Sequence, residues 1–168
     1  GFAIKNSLLD ATTILPDSIE HLIRLQLVTR TGPVNLICTY APTLTSAAEA
    51  KDQFYDVFDT MIRDVPTQHQ LFILGDFNAR VGADYTSWFS CLGRFGVGKM
   101  NENGQQLLKS CCNHDLYITN THFQTKAQHR VLWRYPRSKH WHQLDLILKR
   151  RFHLSSVKVT CSYHSTDC

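Results

Sequence analysis

No run of apolar residues approaches the ~18 that a membrane-crossing helix needs, so no membrane is expected among the partners. No secretory or transit leader is legible either. Glycine (8 residues) and proline (5) are too few for a collagenous, low-complexity or disordered chain. The six cysteines (Cys38, Cys91, Cys111, Cys112, Cys161 and Cys168) form no CxxC pair, and Cys38 sits in an apolar strand pattern. Reduced, mostly buried thiols in an intracellular protein are expected, not a disulfide framework. Acidic residues run short in the last third. Residues 121–168 carry only Asp145 and Asp167 against nine Lys/Arg, a charge of +7 in a chain of +4, which leaves −3 for residues 1–120. Interleaved with Trp133, Tyr135 and Trp141, that basic region fits a polyanion partner. A solvated basic face is the plainer account, and charge alone slightly favours it.

What remains is ordinary for a globular protein: 43% hydrophobic and 11% aromatic residues among 168, enough for one domain over 1–168 with a real core. The chain opens on Gly1 and stops at Cys168, and reads as a piece of a longer protein. Alternation over 21–29 predicts a half-buried strand. A Gly32-Pro33 turn leads to a second strand over 34–40, and so to a hairpin. Ser46-Ala-Ala-Glu49 has the form of a capping box. Behind it Phe54, Val57, Phe58, Met61, Ile62 and Val65 recur every three or four residues, an amphipathic helix whose Lys51, Asp52 and Asp59 should face water. Leu71–Leu74 reads as a central strand, 81–101 as a long loop and 104–112 as a short helix. Further strands are expected at 116–119, 131–135, 144–148 and 157–160. An early hairpin and late strands point to a layered α+β sandwich.

Four groupings invite chemistry. Gly93–Lys99 has P-loop spacing for seven positions, but Met100 stands where a hydroxyl is required and no strand precedes it; a flexible glycine loop is expected instead. Cys111, Cys112 and His114, or His140 and His142, lack the paired spacing of a zinc site. Leu71–Val81 (LFILGDFNARV) is more informative. Asp76 and Asn78 end an apolar strand, where a carboxylate can hold Mg²⁺ or orient water and an amide can meet a phosphate oxygen. An Asx-turn serving its own backbone explains the pair equally well. Asp145, inside the apolar stretch Gln143–Ile147, reads as a buried acid in need of a partner. Tyr40 likewise ends a strand. These three strand ends outline one cleft.

Thr39-Tyr-Ala-Pro42, Leu74-Gly-Asp-Phe-Asn78, Asn120-Thr121 and Trp141–Leu148 occur in an order that resembles the endonuclease/exonuclease/phosphatase superfamily. With Asp76–Gly82, Asn101–Gly104 and Tyr135–Trp141 added, the chain is similar to the endonuclease domains of non-LTR (LINE/RTE-type) retrotransposons and to craniofacial development protein 2-like proteins. The match covers essentially the whole chain. It implies a DNase I-like, four-layered α/β-β/α sandwich of two mixed sheets, truncated at both ends, that cleaves phosphodiesters with Mg²⁺ or Mn²⁺. Under this resemblance Asp76 orients or deprotonates the attacking water, and Asn78 holds phosphate or, with Asp76, metal. Tyr40 stabilises transition-state charge, and Asp145 orients a catalytic histidine as in a hydrolase triad. Asn120 supports the cleft floor on the substrate side, and Arg134, Arg137 and Lys139 contact DNA phosphates.

The resemblance also places a metal-binding Glu before Gly1 and a closing Ser/Thr-Asp-His block at or beyond Cys168. Thr166-Asp167-Cys168 matches only its first two positions, and Leu132 replaces a hydroxyl residue before Trp133. The implied function is a nuclear DNA endonuclease that nicks one strand, with this fragment itself inactive. A non-catalytic DNA- or protein-binding module of the same fold is the alternative. Inositol-phosphate and sphingomyelin phosphodiesterases share the fold, but the basic last third favours DNA.

Overall fold

The computed structural model describes residues 1–15, 21–124, 133–134, 141–142 and 144–150, with backbone only at 133–134 and 141–142. Strands β1 (Thr12–Ile14), β2 (Leu22–Thr29) and β3 (Gly32–Tyr40) form an antiparallel meander, preceded by a 3-10 turn at Asn6–Ala11. The 3-10 turn and β1 carry no periodic apolar signal, and neither is legible in the sequence. The β2–β3 reversal is made by Arg30 and Thr31, because Thr29 pairs directly with Gly32. This places the turn two residues ahead of the expected Gly32-Pro33. Gly32 instead opens β3 at φ +113°, and Thr29 Oγ1 donates to its carbonyl at 2.7 Å. Pro33 is tolerated because pairing of β3 with its other neighbour starts only at Val34.

From β3 the chain crosses through helix α1 (Ala48–Arg63) to β4 (Gln70–Asp76), which lies parallel to β3. Helix α2 (Glu102–Asn113), β5 (Leu116–Ile118) and a 3-10 turn at Thr119–Thr121 follow. A two-stranded ribbon pairs β6 (Trp133–Arg134) with β7 (Trp141–His142). Strand β8 (Asp145–Arg150) then inserts antiparallel between β4 and β5, completing a mixed sheet of order β1-β2-β3-β4-β8-β5. The described residues show one of the two expected mixed sheets, together with the two-stranded antiparallel ribbon. The strand expected at 131–135 is described only as Trp133–Arg134, and the one expected at 157–160 lies outside the described residues.

One face of the sheet presents Leu22, Ile37, Leu71, Ile73, Leu116, Ile118, Leu146 and Leu148 to the helices. Phe54, Phe58, Met61 and Ile62 of α1 fill that layer, with Leu107, Leu108 and Cys111 of α2. Phe58 packs edge-on against Phe77 at 6.2 Å. The other face, with Ile23, Leu36, Cys38, Phe72 and Leu74, is apolar and half-buried. It has the character of a surface that a second sheet covers in a face-to-face sandwich.

Several local expectations need correction. Ser46 does not cap α1: the helix starts at Ala48 with Ala47 at its cap, and Ser46 Oγ lies 3.1 Å from Thr43 Oγ1. The hydroxyl is taken up by the preceding turn, whose backbone bond runs from Ser46 N–H to Thr43 O. Asp52 faces water, but Lys51 and Asp59 are half-buried. Lys51 donates to Leu44 O at 2.8 Å, while Asp59 pairs with His114 and with Arg63. The glycine loop is packed, not free. A Cβ at Gly93 would stand 2.2 Å from Thr121 O, one at Gly96 2.2 Å from Gly82 O, and Phe95 N–H donates to Thr121 O. Lys149 and Arg150, counted with the basic face, are buried. Lys149 lies over the Phe72 ring at 4.2 Å. Arg150 donates to the carbonyls of Ile62 (3.0 Å), Val65 (2.7 Å) and Pro66 (2.6 Å), closing the C-terminal end of α1 where a cation also meets the helix dipole.

Candidate active site

The C-terminal ends of β3 and β4 and the start of β8 meet at one edge of the sheet. Tyr40 is the register partner of Asp76, and Asp76 that of Asp145. Directly opposed residues of neighbouring strands lie about 5 Å apart, so Tyr40, Asp76 and Asp145 form a single row. All three of the strand-end groups singled out in the sequence converge as expected.

Glycine makes this edge possible. Gly75 has φ +147°, and a Cβ there would stand 1.9 Å from Thr39 O. The strand can lie this close to β3 only without a side chain at that position. Phe77, fully buried beneath, anchors the turn, and its N–H donates to Leu144 O at 3.0 Å. Asn78 then turns into the left-handed region at φ +46°, and its N–H donates to Asp76 Oδ1 at 2.8 Å. The Asx-turn and the strand-end site are therefore both present. The turn aims the carboxylate while leaving its second oxygen uncommitted by this bond.

The loop is braced from α2. Asn78 Nδ2 donates to Ala41 O (2.8 Å), and buried Asn103 donates through Nδ2 to Pro42 O (3.0 Å) and Asn78 O (3.1 Å). Asn101 Oδ1 accepts from Gly104 N–H at 2.8 Å, capping α2, and from Arg80 N–H at 2.9 Å. The Asn101–Gly104 block thus ties helix α2 to the turn that carries Asp76 and Asn78. Asn103 had no assigned role in the sequence reading; its signal was only membership of that block. On the far side Asn120 Oδ1 accepts from Ile147 N–H (2.7 Å), and its Nδ2 reaches Asp145 O at 3.4 Å. Its side chain pins the start of β8, the supporting part of its expected role.

Asp145 is not the buried acid that its apolar neighbours suggested. It is the first residue of β8 and exposed, because the alternation of that strand begins with it. Its carboxyl is nonetheless held above the usual carboxylate range, first by desolvation and then by the charge of Asp76. Arg134 is the second residue of β6, in the ribbon that leads into β8. Arg137 and Lys139 lie outside the described residues.

Two opposed carboxylates and an amide are a hard-oxygen donor set of the kind that suits Mg²⁺ or Mn²⁺. Among the described residues no group of three or more His, Cys, Asp or Glu side chains comes together. Mg²⁺ characteristically takes one or two carboxylates and completes its shell with water and phosphate oxygens, so the residues present fit such an ion.

Over 138 residues (81% of the chain) the sequence is 35% identical to craniofacial development protein 2 of Bos taurus. Over 149 residues (89%) it is 30% identical to craniofacial development protein 2 of Tragulus javanicus. The chain spans about a quarter of the length of these relatives, 23% and 26%. No protein-family model matches it. The fold is similar to the endonuclease domain of TRAS1, a telomere-specific non-LTR retrotransposon, with a TM-score of 0.60 and 14% identity. That likeness covers 85% of this chain and 55% of the other. It is also similar to the 3′ phosphatase NExo from Neisseria bound to a product DNA hairpin, with a TM-score of 0.59 and 19% identity over 88% and 61%. These likenesses establish a DNase I-like α+β fold of the kind found in endonuclease/exonuclease/phosphatase-type enzymes.

Proposed function

We propose that this relative of craniofacial development protein 2 uses its DNase I-like fold to present a metal-dependent phosphodiester hydrolase site, of the type that nicks one strand of DNA. The observation that carries the reading is the row Tyr40–Asp76–Asp145 across three adjacent strands, with the Asn78 turn closing it. Asp76 and Asn78 would hold Mg²⁺ or Mn²⁺, which when bound supplies Lewis-acid stabilisation of charge on the phosphoryl oxygens. Asp76 orients and deprotonates the attacking water, Asn78 meets a phosphate oxygen, and the exposed Tyr40 phenol donates toward developing negative charge. Asp145, opposite Asp76 in the row, would orient a catalytic histidine as in a hydrolase triad. Arg134, Arg137 and Lys139 would contact DNA phosphates, and a DNA substrate would call for a nuclear location. Among the described residues no helix is long and apolar enough to cross a membrane.

One observation favours a second reading. Only two carboxylates meet at the edge among the described residues, so the same surface would also serve a DNA-binding module without turnover. A supercoiled-plasmid assay with Mg²⁺, run on the full-length protein and on the 168-residue chain, separates the two. The hydrolase reading predicts nicking by the full-length protein that Asp76→Ala abolishes. Absence of nicking, or nicking that survives Asp76→Ala, contradicts it.

A further inference from the structure

The loop that precedes α2 and the last turn of that helix bring two thiols into contact. Cys91 Sγ lies 3.3 Å from Cys112 Sγ, and Ser90 Oγ lies 3.1 Å from the same Cys112 sulfur. Both residues sit on fixed backbone. Cys91 N–H donates to Trp88 O at 3.0 Å and its carbonyl accepts from Ile118 N–H at 2.9 Å, while Cys112 belongs to α2. A disulfide bond is about 2.05 Å long, so the sulfurs need to close by little more than an ångström, within reach of side-chain rotation. Cys91 and the neighbouring Cys111 are fully buried, whereas Cys112 is half-buried. Desolvation, and then the contact with Cys112, holds the Cys91 thiol well above its ordinary range, and burial does the same for Cys111. Of these three thiols, Cys112 is the one open to a reagent arriving from solvent.

We infer that Cys112 and Cys91 are a redox modification site, converted reversibly by a hydroperoxide to a disulfide that staples the loop to α2. Cys112 gives up its proton, helped by a Ser90 hydroxyl placed to donate to the thiolate, and attacks the O–O bond of the hydroperoxide. An S–O bond forms, the O–O bond breaks, and the departing oxygen takes the proton and leaves as an alcohol, or as water from hydrogen peroxide. Cys91 Sγ then attacks the sulfenic sulfur of Cys112. The S–S bond forms, the S–O bond breaks, and hydroxide leaves as water with the Cys91 proton. The two thiols lose two electrons, the hydroperoxide gains them, and a dithiol reductant reverses the change. The bridge closes the segment 92–111 into a ring. That segment carries Asn101 and Asn103, whose side chains hold Arg80 N–H, Pro42 O and Asn78 O. Oxidation thus stiffens the brace under the turn of Asp76 and Asn78. The staple goes beyond the phosphodiesterase reading and does not depend on it, since it needs only the two sulfurs and their surroundings.

The test is to expose the reduced chain to hydrogen peroxide, alkylate the remaining thiols, digest with trypsin and read the peptides by mass spectrometry. The expected product is peptide 81–94 joined to peptide 110–126 with the loss of two hydrogens. It should be absent in Cys112→Ser, and in Cys112→Ala as a second variant without a hydroxyl, but retained in Cys111→Ala. The bridged chain should unfold at a urea midpoint about 1 M above the reduced chain, because the ring restricts the unfolded state. Hydrogen exchange at the Arg80 amide should slow about ten-fold. Both changes should vanish on adding dithiothreitol and be missing in Cys112→Ser. Advance of Cys112 to the sulfinic acid with Cys91 still open to alkylation overturns the inference. So does a bridge made from Cys111, or one that moves neither the midpoint nor the Arg80 exchange.

Discussion

Two single residues show how closely this site is built on local constraint. Gly75 lies so near β3 that any side chain would drive into Thr39 O, and its positive φ adds strain for an L-residue. Gly75→Ala should cost at least about 2–3 kcal/mol in a urea melt. A variant as stable as wild type would mean that β3 and β4 are not this close. His122 is the second. Burial lowers its pKa, more than the Cys91 backbone contact raises it, and its Nε2 has no partner among the described residues. A histidine with a depressed native pKa binds fewer protons folded than unfolded. Its contribution is therefore complete above the unfolded value of about 6.5 and is lost as pH falls through the lower native value. His122→Gln should lessen the loss of stability on acidification from neutral pH, measured as the change in urea midpoint against wild type. An identical pH profile would contradict the assignment. At this scale Tyr40, Asp76 and Asn78 were legible because each ends an apolar run. Asp145 was found for the wrong reason. Its neighbours suggested burial, whereas strand alternation exposes it, and only the pairing of β8 with β4, set by tertiary contacts, puts it beside Asp76.

Elements were legible in proportion to their apolar periodicity. The register of α1 follows from Phe54, Phe58 and Met61. Phe58→Ala should cost about 3–5 kcal/mol by urea melt, and a loss below about 1 kcal/mol would show that another face is buried. The ends of elements were less legible, because they are set by partners remote in sequence. Ser46 has the right spacing for a cap but spends its hydroxyl on Thr43, and the C-terminal end of α1 is closed by Arg150, 88 positions beyond Ile62. Arg150→Met should destabilise by about 2–4 kcal/mol, since three carbonyls lose their donor, while leaving DNA affinity unchanged. A stable variant with weakened DNA binding would return Arg150 to the basic face. Charge counting alone could not make that distinction, because a guanidinium in β8 reads the same whether it meets phosphate or a helix end.

At the scale of the whole molecule, the α+β class followed from an early hairpin with late strands, and the convergence of the site from polar groups at the ends of apolar strands, while the strand order did not. That β8 inserts between β4 and β5, and not beside the ribbon that precedes it, is a long-range pairing with no local signature. It is this insertion that sets Asp145 opposite Asp76 and gives the edge its two carboxylates. The central claim is that this edge holds a divalent cation for phosphodiester chemistry. Titration of the isotopically labelled chain with trace Mn²⁺, read as paramagnetic broadening of backbone amide signals, tests it most directly. The account predicts broadening that begins at Ala41, Asp76–Asn78 and Asp145 and is lost in Asp76→Ala. Broadening centred instead on the exposed Asp84 turn or on Asp59 and Asp64 of α1 and its end, or broadening unchanged by Asp76→Ala, would contradict it.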